Sequence, residues 1–313
     1  MSDNSAIEWT DATWNVVTGC EKVSPGCGIP GHYFENGFDV QLRPDKLTLP
    51  LTWKKPRRVF VNSMSDLFHK DIPDEYIAKV FAVMAATPQH TYQLLTKRHG
   101  RMRSLLAGPS KVDTERGYTP GVWFRSLVQN ATRQFGAEVS LFSSDSAWAL
   151  PNVWLGVSVE DQKHADLRIP ALLDTPAAVR FLSCEPLLGP VDLTRWLRPV
   201  PGCGYVDPDD ATCGHPDAFT PECHRWADCP VRRKPTDWHG PDWVIAGGES
   251  GRGARPMDTG WALQIVQQCQ VADVPVFVKQ LGSRWGKQHK DITQFPAELR
   301  VRQFPETTAP ALS

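Results

Sequence analysis

The chain has 313 residues, a net charge of -1 at pH 7, 41% hydrophobic residues, 27 prolines and 23 glycines. The near-neutral balance excludes bulk electrostatic attraction to nucleic acid or to an anionic membrane surface, so any nucleic-acid site has to be a local patch. The hydrophobic share is enough for a sizeable core, and the length fits either one α/β barrel of about 250 residues enlarged by insertions or two ordinary domains.

In chain order, the opening "MSDNSAIEWTDATW" lacks the basic start and apolar run of a secretory signal. No later stretch reaches the ~20 apolar residues that span a bilayer. The expectation is a soluble, cytoplasmic protein with no membrane partner. Its eight cysteines then read as free thiols, metal ligands or catalytic groups in preference to a disulfide framework. A first strand is expected around Trp14 to Val17. Next comes "TGCEKVSPGCGIPGHYF", which holds Cys20 and Cys27 between glycines. Two thiols so close together suggest a metal or cluster site, although such sites take about three or four protein ligands.

Six further apolar runs have the length and aliphatic character of buried parallel strands: residues 58–66, 91–98, 152–160, 179–186, 242–250 and 275–282. Between two of them, Asp74 and Glu75 suit a first helical turn, and Ile77, Val80, Phe81 and Met84 fall on one helix face. Trp261, Ile265, Val266 and Cys269 mark a second helix, with Asp258 as its N-cap. Strand and helix in alternation predict parallel β/α architecture, as a barrel, a partial barrel or an open doubly wound sheet. All three place chemistry at the carboxyl ends of the strands. Polar residues collect there: Asn62, Ser63, Ser65 and Asp66; Thr96, Lys97 and Arg98; Ser158 and Glu160; Ser183 and Glu185; Glu249 and Ser250; Lys279 and Gln280. Asp66, Glu185 and Glu249 are expected to face one shared cavity.

Two stretches interrupt the alternation. Residues 108–150 are too long for a simple connection and predict a lid-like insertion with a helix near 121–135. Residues 187–241 hold Cys203, Cys213, Cys223 and Cys229 in a segment rich in proline and aspartate and poor in aliphatics. A structural zinc ion on these four thiolates would staple it, with His215 and His224 as spare ligands; the alternative is four free thiols. On this reading residues 1–282 form the barrel-like domain and residues 283–313 a C-terminal extension.

The blocks "IEWTDATWNVVTGCEKVSPGC", "VFVNSMSDLFHKDIPDE", "QLLTKR", "NVWLGVSVEDQ", "RFLSCEPLLGP", "DWVIAGGESGRGARPMD" and "PVFVKQLG" together resemble the phage-associated radical-SAM-like proteins. The resemblance covers most of residues 7–282. It implies a TIM-barrel-like β/α partial barrel with long insertions, a [4Fe–4S] cluster and S-adenosylmethionine, cleaved reductively to act on an unknown substrate. It also implies the host cytoplasm for a phage-encoded chain and a protein partner encoded nearby in a phage or prophage. Cys20 and Cys27 match the first two cysteines of the family's three. The third is missing, since Gly28, Ile29 and Pro30 follow Cys27; His32, Tyr33 and Cys184 are the candidate replacements, Cys184 against its ordinary role in packing. The resemblance places the methionyl amine near Asn62, Ser63, Ser65 and Asp66. Gly247, Gly248 and Glu249 offer close backbone approach and a carboxylate for ribose or substrate, or a tight turn leaving the strand. A non-enzymatic nucleic-acid- or protein-binding module is the competing function, on the basic segments "WKKPRR" and "LTKRHGRMR" and the twelve tryptophans.

Overall fold

The computed structural model describes residues 5, 7–27, 37–107, 120–137, 149–197 and 240–306. Its centre is a seven-stranded parallel sheet that curls into a half-barrel with helices outside. The strands are β1 (Ala12–Trp14), β4 (Arg58–Val61), β5 (Thr91–Thr96), β6 (Val153–Ser158), β7 (Val179–Cys184), β8 (Trp243–Gly247) and β9 (Val276–Gln280), paired in that order. A separate antiparallel pair, β2 (Val17–Glu21) and β3 (Gly37–Leu42), stands at the β1 side. The helices are α1 (Asp74–Ala86), α2 (His99–Leu106), α3 (Pro120–Gln134), α4 (Gln162–Leu173) and α5 (Thr259–Val271). No helix among the described residues is long and apolar enough to cross a membrane.

Strand periodicity sorts the side chains into two cores. Val59 and Val61, like Val244 and Ala246, face the helices, where they join Ile77, Val80, Phe81 and Met84 of α1 and Ile265, Val266 and Cys269 of α5. Phe60, Trp154, Phe181, Trp243, Ile245 and Phe277 face the barrel axis and, with Trp9, fill its lower half. The Trp243 ring lies 6.0 Å from Trp9, 5.9 Å from Trp154 and 5.8 Å from Phe181. Gly156 leaves room for this layer: a Cβ there would sit 2.5 Å from the Phe181 ring. Asp258 caps α5 as expected, accepting from the Gly260 N–H.

Four boundaries differ from the sequence reading. The first sheet strand is Ala12–Trp14, and Val17 opens the β2–β3 hairpin, which has a register shift at Gly19. Gly19 has φ +93°, and a Cβ on it would collide with the Asp39 carbonyl. The helix expected near 121–135 is α3, and it packs as a layer of the barrel. Its Phe124 packs edge-on against Phe81 of α1, with ring centroids 5.7 Å apart; residues 108–119 and 138–148 lie outside the described residues. The stretch after β7 begins as core, with Leu187, Val191, Leu193 and Leu197 all buried.

The C-terminal stretch is also part of the barrel. Val278 N–H donates to the Val301 carbonyl and Gln303 N–H to the Val276 carbonyl, so residues 301–303 cover the open edge of β9. Phe304 stacks on Trp243 at 5.3 Å, and Phe295 and Leu299 are 1% and 2% exposed. Replacing Phe295 by alanine should therefore cost about 3–5 kcal/mol in urea unfolding. A loss below about 1 kcal/mol would show this stretch to be an appendage.

Candidate functional site

The aromatic floor leaves the carboxyl ends of the strands polar. A cavity of about 300 Å³ opens there, lined by Cys20, Cys27, Asn62, Ser63, Ser65 and Asp66, with Lys97 and Ser158 on its inner wall. Val23, Phe38, Phe60, Met64 and Leu95 supply its apolar surface. The two cysteines and the four residues after β4 thus share one space.

Local folding explains each position. Asn62 ends β4 in the left-handed region, φ +60°, which asparagine tolerates better than most residues. Its N–H donates to the Trp14 carbonyl and its Oδ1 accepts from the Val17 N–H at 3.1 Å, locking the β1–β2 corner to β4. Ser65 Oγ donates to the Val17 carbonyl at 2.8 Å, and Ser63 Oγ to Asn15 Oδ1 at 3.1 Å. Asp66 is 6% exposed and fully engaged: it accepts from Thr96 Oγ1 at 2.7 Å, from the Lys97 N–H at 2.9 Å and from the Phe68 N–H at 3.0 Å.

The Cys27 loop is held by Glu160. Ser24 Oγ donates to Glu160 Oε1 at 2.6 Å and lies 3.7 Å from Cys27 Sγ. Gly26 lies so close that a Cβ would fall 2.4 Å from Glu160 Cγ. Glu160 itself is fully buried and takes Arg168 Nη1 at 2.7 Å and Lys97 Nζ at 3.5 Å. Burial alone would raise its carboxyl, but Lys97, Arg168 and Ser24 together bring it below the ordinary carboxylate value. Glu160, Lys97 and Ser158 were legible as strand-end polar residues. Ser24 and Arg168 were not, because nothing in a loop serine or a helix arginine names a partner far along the chain.

The other expected carboxylates lie outside the cavity's lining. Glu185 accepts from Lys279 Nζ at 2.8 Å and Gln280 Nε2 at 2.8 Å. Glu249 accepts from the Arg255 N–H at 2.8 Å and its Nε at 2.9 Å. Of the three carboxylates expected to meet, only Asp66 lines the cavity. The glycines beside Glu249 let backbones approach closely: a Cβ on Gly248 would sit 2.8 Å from the Gly282 backbone, and one on Gly247 3.2 Å from the Gln280 carbonyl. Cys184 is fully buried on the helix side of the sheet, where burial and its neighbour Cys269 push its thiol far up. It is a packing residue and no part of the cavity. His32, Tyr33, Cys203, Cys213, Cys223 and Cys229 lie outside the described residues.

Sequence reasoning also missed a Glu21, His69 and Asp71 cluster beside the cavity, whose ligand atoms lie within 4.8 Å of one another. Lys70 Nζ, 3.1 Å from Glu21 Oε1, and the nearby Arg98 offset its negative charge.

Residues 4–305 match a family described as "Protein of unknown function (DUF5131)". The chain belongs to that family. No curated protein and no solved structure matches it.

In this DUF5131 chain the two cavity thiols differ in setting. Burial raises the Cys20 thiol above its ordinary value, the Asp66 carboxylate adds to the rise, and Arg98 opposes it. Only the thiolate reacts with alkylating reagents. Cys20 should therefore reach its half-maximal iodoacetamide rate above the ordinary thiol pH. Arg98→Leu should move that midpoint further up and Asp66→Asn should move it down, as read by peptide mass spectrometry across a pH series. A midpoint unmoved by either substitution would refute this electrostatic account.

Proposed function

We propose that the chain is a radical-SAM-like protein of the phage-associated kind, with its ligand site in the cavity at the strand carboxyl ends. The observation that carries this reading is the union of Cys20 and Cys27 with Asn62, Ser63, Ser65 and Asp66 in one space at the mouth of a parallel half-barrel. A volume of about 300 Å³ stands at the small end of the ~300–1,000 Å³ range of small-molecule sites. It matches a nucleoside-sized ligand better than a polymer. The competing nucleic-acid reading loses support because several of its basic side chains are engaged: Arg57 lies over Trp53 at 5.0 Å, Arg58 over Phe304 at 4.5 Å, and Arg103 pairs with Asp174 at 3.1 Å.

Among the described residues, the donors at the cavity do not complete a [4Fe–4S] cluster with one open iron. Such a cluster takes three thiolates; the cavity brings together Cys20 and Cys27, and Cys184 packs elsewhere. The family chemistry, reductive cleavage of S-adenosylmethionine, is thus expected to be defective in this chain. Anaerobic reconstitution with iron and sulfide, then reduction and an assay for 5′-deoxyadenosine, should give no substantial turnover. Multiple turnovers would overturn the defect.

A structural zinc ion on Cys203, Cys213, Cys223 and Cys229 completes the proposal, because four thiols in a core-poor segment need a staple. Protein purified without chelator should carry about one equivalent of zinc. Less than about a tenth of an equivalent would sink the idea.

A further inference from the structure

The cavity's inner wall presents donors where the family resemblance leads one to expect acceptors. Asn62 is 4% exposed, and among the described residues its buried Nδ2 has no hydrogen-bond partner. Its amide cannot be turned around, because Oδ1 is fixed by the Val17 N–H at 3.1 Å. Lys97 Nζ donates to Ser158 Oγ at 3.0 Å and lies 3.5 Å from Glu160, which leaves a third proton. Ser158, 1% exposed, accepts from Lys97, and among the described residues its own hydroxyl proton has no acceptor. All three residues line the same cavity.

The acceptors on that wall are largely spent. Both Asp66 oxygens receive hydrogen bonds from Thr96 and from backbone N–H groups. Ser63 and Ser65 keep lone pairs, but these are neutral. In formal charge the lining residues Glu21 and Asp66 are balanced by Lys22 and Lys97, and Glu160 behind the wall is matched by Arg168, so no negative excess opposes an anion. Lys70 at 3.1 Å matches Glu21 at the rim. A buried donor without a partner is costly, and a charge-assisted bond to an anion would relieve it.

We propose that Asn62 Nδ2, Lys97 Nζ and Ser158 Oγ form an oxyanion subsite, which receives a carboxylate or phosphate of the cavity's ligand and disfavours an ammonium group. The subsite rests on the reading above only in taking this cavity as the ligand site. Left-handed backbone at Asn62 fits such a role, since strain of that kind gathers where the surrounding structure holds a group for recognition.

The test is calorimetric titration of the full-length chain at fixed ionic strength with three probes: inorganic phosphate, acetate and methylammonium. At least one of the anions should bind about tenfold or more tightly than methylammonium, and the order of phosphate and acetate tells which anion the subsite takes. Asn62→Asp keeps the acceptor for Val17 but turns the cavity donor into a carboxylate oxygen. It should weaken anion binding about tenfold and improve methylammonium binding. Lys97→Met should also weaken anion binding, and circular dichroism checks that each variant is folded. Methylammonium binding as tightly as the anions, anion binding unchanged in Asn62→Asp, or no anion binding at all would each overturn the subsite. None of these readings involves a cluster or 5′-deoxyadenosine, so the subsite and the radical-SAM-like reading can fail separately.

Discussion

Glu160 is the constraint on which the mouth of this half-barrel depends. A fully buried carboxylate is tolerable only when paired and hydrogen-bonded. Here the partners come from three separate parts of the chain: Arg168 from α4, Lys97 from the end of β5, and Ser24 from the cysteine loop. Its backbone carbonyl accepts the Leu188 N–H at 2.8 Å, which directs the chain leaving β7 back into the core. Removal of one member of a buried ionic group typically costs about 3–5 kcal/mol, because the others are left unpaired. The folded carboxyl is depressed below its unfolded value, so its contribution is complete above the ordinary carboxylate pKa. It is lost as pH falls through the lowered one.

The same residue ties fold to site. Gly26 is pressed against the Glu160 side chain and Ser24 is bonded to it, so the turn that carries Cys27 is built against a fixed charge and is not a free loop. Across the cavity, the β4 end is fixed by a second set of bonds, from Asn62 and Ser65 to the first residue of β2. The lower barrel contributes rigidity of another kind, since its axis is filled by interlocked aromatic rings around Trp243. Packed rings close the barrel below, and the polar cavity opens above. That division is why polar chemistry can sit at one end of the strands only.

How much of this was legible follows from what each element is buried against. The six inner runs read as strands because both of their faces are covered, by helices outside and by aromatic rings inside, and double burial removes polar interruptions. The face of α1 was legible for the same reason. The β2–β3 hairpin was not, because it is partly exposed and β2 is broken by Gly19, although Phe38, Val40 and Leu42 of β3 carry the alternation of a strand. The C-terminal stretch was read as an extension because Phe295, Leu299 and Phe304 follow no helical or strand period. They are buried because the sheet is open and its last edge and floor need cover. At the mouth, polar residues after the strands were found correctly, yet their grouping was not. Strand ends converge in space, but sequence does not say which carboxylates are matched by nearby cations. Arg255 lies six residues from Glu249, and Lys279 on β9 reaches back to Glu185.

Matching of that kind divides the mouth. On the β7–β9 side Glu185 and Glu249 are each committed to a cation, which makes those pairs part of the scaffold. Toward β2–β6 the pairing is uneven: among the described residues Asn62 Nδ2 is left without a partner, in the cavity that also holds the Cys20 and Cys27 thiols, Lys97 and Ser158. A comparison of cysteines makes the same point. Cys184 and Cys20 both have thiols raised by burial, but Cys184 is sealed among aliphatic side chains beside Cys269, whereas Cys20 stands between Asp66 and Arg98 at a cavity wall. Burial in apolar surroundings with no cation nearby makes a thiol inert. Burial between an acid and a base leaves its state responsive to whatever enters the cavity, because an arriving charge alters the balance that Asp66 and Arg98 set.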